Sequence, residues 1–275
     1  MLGRERVVRA EDAVRSGIKR ALAAPAGRAT ALGASLLIYH RVGGGTRNEL
    51  DVSAAAFARH VDLVEPYDVL ALDAALDRLD AGDSRPSAVL TFDDGFEDVY
   101  RNAWPVLRER RLPFTIYLAT AFMGTTMIWE GATAKGAAGI GLTWRQLEEM
   151  LASGLCTIGN HTHDHARPEE LTADQLDRCQ AAVQHHLGVT PAHFTYPWGI
   201  PVPALESDLR ARFRSASTGE LGRNGPDTDR MRLRRIPVRR TDPDSFVARK
   251  LTGDLTPERA YARLVRLGKS AGLSG

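Results

Sequence analysis

The sequence predicts a single α/β barrel of about seven strands. Two observations predict it. From residue 35 onward, apolar runs of strand length alternate with helical patterns, the order a parallel sheet requires because each strand is reached by a crossover. The chain has 275 residues, 43% of them hydrophobic, which is room for one barrel domain of about 250 residues and little else.

The elements follow in order. Residues 1–34 form an N-terminal extension carrying an amphipathic helix. Val7, Val14, Ile18 and Leu22 recur at helical spacing, with Arg6, Arg9, Arg15, Lys19 and Arg20 around them. Such a helix packs on the body or makes peripheral contact with an anionic membrane; packing is the expectation. Pro25 and Gly27 end it. Residues 35–275 form the barrel domain. Strands are predicted at 36–39, 67–72, 88–92, 114–118, 156–158, 192–196, 214–217 and 231–238. Helices are predicted at 54–64, 72–79, 99–110, 143–153, 172–187 and 204–212, and segments 244–251 and 257–267 close the chain as C-terminal helices. Residues 124–141, rich in Gly, Ala and Thr, read as a loop.

Composition excludes several classes. A net charge of +2, from 36 basic and 34 acidic residues, argues against a nucleic-acid binder. Two cysteines, Cys156 and Cys179, are too few for a disulfide scaffold or a four-cysteine zinc module. The nearly uncharged stretch 29–39 is too short to cross a bilayer and lacks a small-residue cleavage signature, so a cytoplasmic protein is expected.

Reactive residues of a parallel barrel gather at the C-terminal strand ends. Thr91-Phe92-Asp93-Asp94-Gly95 directly follows the apolar run 88–90. Neighbouring side chains within a strand point to opposite faces, but a glycine at the strand end lets both carboxylates face the mouth. One can then bind a metal while the other serves as a base; a solvated Asp-Asp-Gly turn is the plainer reading. His161-Thr162-His163-Asp164-His165 follows the run 157–159. Three histidines in five residues make poor core filler, because each buried imidazole needs a polar partner. A His-x-x-x-His pair grips one cation from a helical turn or a tight loop. With Asp94 it would make a two-histidine, one-carboxylate site that suits Zn²⁺ and also Co²⁺, Mn²⁺ or Ni²⁺. Phe194-Thr195-Tyr196-Pro197-Trp198-Gly199 ends another strand, and aromatics around Pro and Gly make a rigid, partly apolar wall for a sugar ring.

These three motifs, in this order, resemble the polysaccharide deacetylase family, carbohydrate esterases sharing the NodB homology domain. The resemblance spans roughly residues 36–238. The run Leu142-Thr143-Trp144-Arg145-Gln146-Leu147, leading into Ile158-Gly159-Asn160-His161, adds to it. It implies a distorted NodB-like (β/α) barrel, a bound divalent metal with Zn²⁺ first, and hydrolysis of N-acetyl groups on amino sugars. The substrate implied is an N-acetylated polysaccharide, oligosaccharide or glycan precursor, as in exopolysaccharide metabolism. It further implies Asp93 as general base, Asp94, His161 and His165 as metal ligands, the Trp198 backbone N–H at the oxyanion, and Tyr196, Pro197 and Trp198 against substrate.

Two positions depart from the commonest pattern of that family. No histidine follows His193 to serve as general acid, and Thr195 stands where an arginine orients the base. Tyr39-His40-Arg41-Val42 follows the first strand and resembles the poly-N-acetylglucosamine deacetylase branch, whose acid histidine lies on an N-terminal strand. His40 is therefore the expected acid. Arg235 is the candidate arginine, although 230–240 reads equally as an edge strand with solvated arginines. Asp164 is placed to orient a ligand histidine, and Trp129 and Glu130 to touch substrate. His185 and His186 are expected at the surface, and the cysteines buried. Two other readings keep the barrel: an amidohydrolase of a small N-acyl or cyclic amide, and a non-catalytic carbohydrate-binding barrel. A long groove distinguishes the polymer enzyme from the first, and a spare carboxylate beside the ligands argues against the second. A cytoplasmic address favours a nucleotide-linked, lipid-linked or oligomeric precursor.

Overall fold

The computed structural model describes residues 2–24, 32–129 and 139–270. Its strands are β1 (Ala34–Tyr39), β2 (Arg41–Val42), β3 (Asp51–Val52), β4 (Asp68–Val69), β5 (Ser87–Phe92), β6 (Phe114–Leu118), β7 (Cys156–Asn160), β8 (His193–Thr195), β9 (Ser215–Leu221) and β10 (Leu233–Pro237). The helices are α1 (Leu2–Ala23), α2 (Ala54–Val64), α3 (Leu72–Asp80), α4 (Trp104–Glu109), α5 (Trp144–Ala152), α6 (Ala173–Leu187), α7 (Glu206–Arg212), α8 (Asp244–Leu251) and α9 (Thr256–Ser270).

Seven parallel strands close into a ring in the order β1-β10-β9-β8-β7-β6-β5. Closure rests on β1, which pairs Leu37 with Ile236 of β10 on one side and with Leu90 of β5 on the other. The (β/α) barrel expected from the alternation is therefore present. β4 is an eighth, partial strand. It pairs Asp68 with Ser87 at the start of β5, and β6 takes the same side farther along, pairing Phe114 with Leu90. Every residue of β1, β5 and β6 is buried, because helices cover the outside of a parallel barrel and side chains fill the inside.

Each predicted strand has a counterpart, with three shortened, the 192–196 run by one residue at each end. The 67–72 run is a strand only at Asp68–Val69, because α3 begins at Leu72. The 231–238 run opens with a 3-10 turn over Arg230–Arg232 before β10. The 99–110 helix starts as a wide π turn over Val99–Ala103; Pro105 in the following turn has no N–H to give. The edge-strand reading of 230–240 is corrected: β10 lies inside the closed ring between β9 and β1, and Arg235 is buried.

The N-terminal helix also differs from its pattern. α1 packs against α8 and α9, but with a polar face inward. Ser16 Oγ donates to the Thr241 carbonyl at 3.2 Å, and Asp12 pairs with Arg240 at 2.8 Å. Lys19, one of the basic residues flanking the apolar positions, is wholly buried and donates to Asp242 at 2.6 Å. Val14, at 61% exposure, and Ile18 point to solvent instead. Amphipathic spacing locates two faces, and a buried carboxylate on the body decides which one docks. Among the described residues no helix is long and apolar enough to cross a membrane.

Candidate active site

The first motif sits where β5 ends. The Asp93 N–H donates to the Tyr39 carbonyl at 2.9 Å, and Ala119 N–H donates to the Asp94 carbonyl at 3.2 Å, so the turn is tied to the ends of β1 and β6. Asp94 and Gly95 both take left-handed backbone, φ 75° and 89°. This reversal lets two consecutive carboxylates serve one cavity, and only glycine adopts the second conformation without strain.

The second motif is a tight loop after β7. Asn160 accepts from Thr162 N–H at 2.9 Å, and Thr162 Oγ1 accepts from Ala166 N–H at 3.1 Å. Thr162 and His165 have φ of 68° and 53°. The loop brings Nε2 of His161 and of His165 to 3.3 and 3.4 Å from the same oxygen, Oδ1 of Asp94. One donor atom from each of these residues lies within 4.8 Å of the others, and all three are buried. Two imidazole nitrogens and a carboxylate oxygen converging on one point fit a divalent cation of the Zn²⁺ class.

Asp93 faces a different set. Arg235 Nη1 donates to its Oδ1 at 2.7 Å, while His40 Nε2 lies 4.0 Å from Oδ2. Arg235 is fixed in turn by donating from Nε to the Thr218 carbonyl at 3.1 Å. Burial pushes the Asp93 carboxyl upward; the Arg235 guanidinium, with His161 and His40, outweighs it and holds the group below its usual range. Burial opposes ionisation of Asp94 too, yet hydrogen bonds from His161 and His165 hold it well below. Burial lowers His165 against the pull of Asp94, which favours the neutral imidazole a metal ligand requires.

A cavity of about 330 Å³ opens over these groups, lined by His40, Asp93, Asp94, His161, His165, Arg235, Tyr196, Trp198 and Trp129 among others. The third motif forms one wall. Trp198 has φ 63° and is 40% exposed. Gly199 lies so close to Gly219 of β9 that a Cβ on it would stand 2.7 Å from the Gly219 Cα. Any larger residue would push this wall off the barrel.

Two expectations need correction. Pro197 is buried beneath its turn and is not among the residues lining the cavity; its fixed φ shapes the turn instead. Asp164 does not orient a ligand histidine. It pairs with Gln175 and Arg178, and the Nδ1–H of His161 donates instead to the Thr195 backbone carbonyl at 2.9 Å. His163 is turned away, its Nδ1 2.9 Å from Thr120 Oγ1. Glu130 and residues 131–138 of the loop lie outside the described residues. His185 and His186 are exposed, and both cysteines are buried and unpaired. Sequence reasoning missed Ile38, Leu50, Pro237 and Arg239 of the cavity wall, which carry no motif.

Residues 80–211 match the family model described as polysaccharide deacetylase. Over that stretch the chain is similar to the polysaccharide deacetylases. Among its curated relatives, a poly-beta-1,6-N-acetyl-D-glucosamine N-deacetylase of Staphylococcus epidermidis is 28% identical over 165 residues, covering 55% of this chain and 54% of the relative. The chain spans about half the length of the first curated relatives it matches. Among solved structures, IcaB from Ammonifex degensii superposes with a TM-score of 0.68 at 28% identity, over 81% of this chain and 97% of that one. A Streptococcus pyogenes deacetylase, PplD, determined with acetate, shares the fold at a TM-score of 0.66 and 20% identity, over 79% of this chain and 97% of that one.

Proposed function

We propose that the protein is a metal-dependent hydrolase that removes N-acetyl groups from amino sugars of a glycan. The observation that carries this reading is the division of two adjacent carboxylates: Asp94 joins two imidazoles, while Asp93 is held apart by Arg235. A divalent ion held by Asp94, His161 and His165 supplies a Lewis acid that acidifies water and polarises a carbonyl, and Zn²⁺ is the ion proposed. Asp93 accepts the proton of the attacking water. Arg235 keeps Asp93 ionised and aimed, in the place of the family arginine that Thr195 lacks. The Trp198 backbone N–H donates to the developing oxyanion, a contribution worth about 3–4 kcal/mol where such donors have been removed. His40, nearest the Asp93 oxygen that Arg235 does not bind, gives a proton to the departing amine, which cannot leave as an anion. Tyr196 and Trp198 pack against the sugar ring.

A polymeric or oligomeric substrate is favoured over a small amide by the shape of the cleft. Trp129, His165 and Trp198 also line a neighbouring cavity of about 180 Å³, and Arg239 lines another of about 440 Å³, so two further cavities share walls with the central pocket. The relatives named for poly-N-acetylglucosamine support the same class. The test is acetate release from N-acetylglucosamine oligomers by the Zn²⁺-reconstituted protein. Release that chelator abolishes, and that rises with oligomer length, is expected. Stoichiometric metal binding without release from any oligomer would sink the glycan assignment.

The α1–α9 surface is proposed to rest on an anionic lipid surface. α1 exposes Arg15 and Arg20, and α9 exposes Arg259, Arg263 and Arg266 while its acid Glu258 is buried, although the whole chain is nearly neutral. Val14 and Ile18 of α1 and Leu264 and Val265 of α9 stand exposed among these charges. Co-sedimentation with phosphatidylserine vesicles that salt and Val14→Asp both weaken is expected; equal recovery on neutral and anionic vesicles would overturn it. The cytoplasmic address is proposed with it, since that leaflet is the anionic one. Cell fractionation that finds the protein outside would reject that address.

A further inference from the structure

The two ligand histidines are held in different ways. His161 gives its Nδ1–H to the Thr195 carbonyl, the usual device by which a metal-binding imidazole is fixed in tautomer and orientation. His165 has no such bond among the described residues: its Nδ1 is buried and finds no hydrogen-bond partner there. Its backbone is also in the left-handed region at φ 53°, a conformation a non-glycine residue keeps only when its surroundings impose it. Rotation about the outer histidine torsion is soft, so the ring needs some other restraint to keep Nε2 aimed at Asp94.

That restraint is aromatic. The Trp129 indole stacks on the His165 imidazole with centroids 4.3 Å apart and planes 21° from parallel. Trp198 meets the same ring edge-on at 5.4 Å. Trp129 is itself wedged, 5.1 Å from Phe122 and 6.2 Å from the buried Phe96, which lies two residues beyond Asp94. The Asp94 turn, the 124–129 segment and the second histidine are thereby bound into one aromatic cluster.

We propose that Trp129 is a positioning residue for His165, doing by ring stacking what the Thr195 carbonyl does for His161. This inference rests on the metal-site reading above, but it assigns Trp129 a task that needs no substrate. A residue that merely forms a sugar platform would affect substrate affinity and leave the metal untouched.

The experiment is Zn²⁺ release from the reconstituted full chain to a chromophoric chelator, without substrate, for wild type, Trp129→Ala and Trp129→Phe. Trp129→Ala is expected to release Zn²⁺ about 10–100-fold faster, the range seen when outer partners of metal ligands are removed. Trp129→Phe, which keeps a stacking ring, should restore release to near the wild-type rate. The metal-free proteins should unfold at the same temperature, which separates the effect from a loss of fold. Unchanged release from Trp129→Ala, whatever happens to turnover, would overturn the proposal while leaving the deacetylase reading intact. A wild type that takes up no Zn²⁺ would instead overturn both, so the two failures are distinct.

Discussion

Two of the buried charge clusters among the described residues are built on opposite plans. One is the cavity group of Asp93, Asp94, His161, His165 and Arg235. The other joins Lys19 of α1, Lys250 of α8 and Glu258 of α9 to Asp242 and Arg239 in the segment after β10. In the second, Lys19 and Lys250 each donate to Asp242 at 2.6 Å, and Lys250 also pairs with Glu258 at 2.9 Å. Arg239 caps Glu258. Each charge there meets an opposite one, and no backbone in the group is left-handed. The cavity group contains left-handed backbone at Asp94 and His165, an imidazole nitrogen with no partner, and open space beside its carboxylates. Perturbed titration marks both clusters equally, so it does not distinguish a site from a lock. Convergence of ligands with room left beside them does.

The lock carries its own asymmetry. Burial raises the Asp242 carboxyl, but Lys250 and Lys19 together bring it down to about 2, whereas burial holds Lys19 below its ordinary value despite Asp242. The two directions disagree about whether the pairing is favourable. Asp242 has two close ammonium partners, whereas Lys19 shares that carboxylate with Lys250 and meets Glu49 only at 3.9 Å, so the gain belongs to Asp242 and the desolvation cost to Lys19.

Breaking the lock should have the largest effect on folding. Asp242→Ala leaves two ammonium groups buried without their shared partner and is expected to cost about 3–5 kcal/mol, read by urea unfolding. The folded fraction should still bind metal, because no ligand is touched. A variant that lost metal with no loss of stability would erase the distinction between the clusters. Acid should act through the same carboxylate. A folded-state value of about 2 against the ordinary 3.8 means stability that is present above pH 4 and lost as pH falls through about 2, on the order of 2 kcal/mol. Asp242→Asn should remove that part of the acid transition, which unfolding curves from pH 5 to 2 would show. The smallest effect on stability is expected at the cavity wall. Gly199→Ala forces a left-handed alanine, about 1–2 kcal/mol, against Gly219 backbone that has no freedom to yield. Displacement of the Trp198 turn should raise KM more than it lowers Tm; steady-state kinetics with a chitooligosaccharide would check it.

Much of the barrel and the ligand set is legible in the sequence because both are local. Strand runs and the Asp-Asp-Gly and His-x-x-x-His motifs each lie within a few residues. Arg235 and Asp93 meet across 142 positions, and what named Arg235 was the arginine missing at Thr195 rather than any signal of its own. The partner of His161 is a backbone carbonyl, which leaves no trace in residue type, and so Asp164 was a plausible but mistaken choice. The two-residue strands β2 and β3 are too short to show periodicity. α1 shows its two faces plainly, but its inward face is set by Asp242, more than 200 residues away.

The central claim is that adjacent carboxylates divide the work, Asp94 holding the metal and Asp93 moving the proton. Metal content and acetate release measured side by side in Asp93→Asn and Asp94→Asn test it most directly. The account predicts that Asp93→Asn keeps stoichiometric metal and loses turnover by about 100-fold or more, whereas Asp94→Asn loses both. An Asp93→Asn protein that releases acetate at the wild-type rate, or an Asp94→Asn protein that binds metal as tightly as wild type, would contradict it.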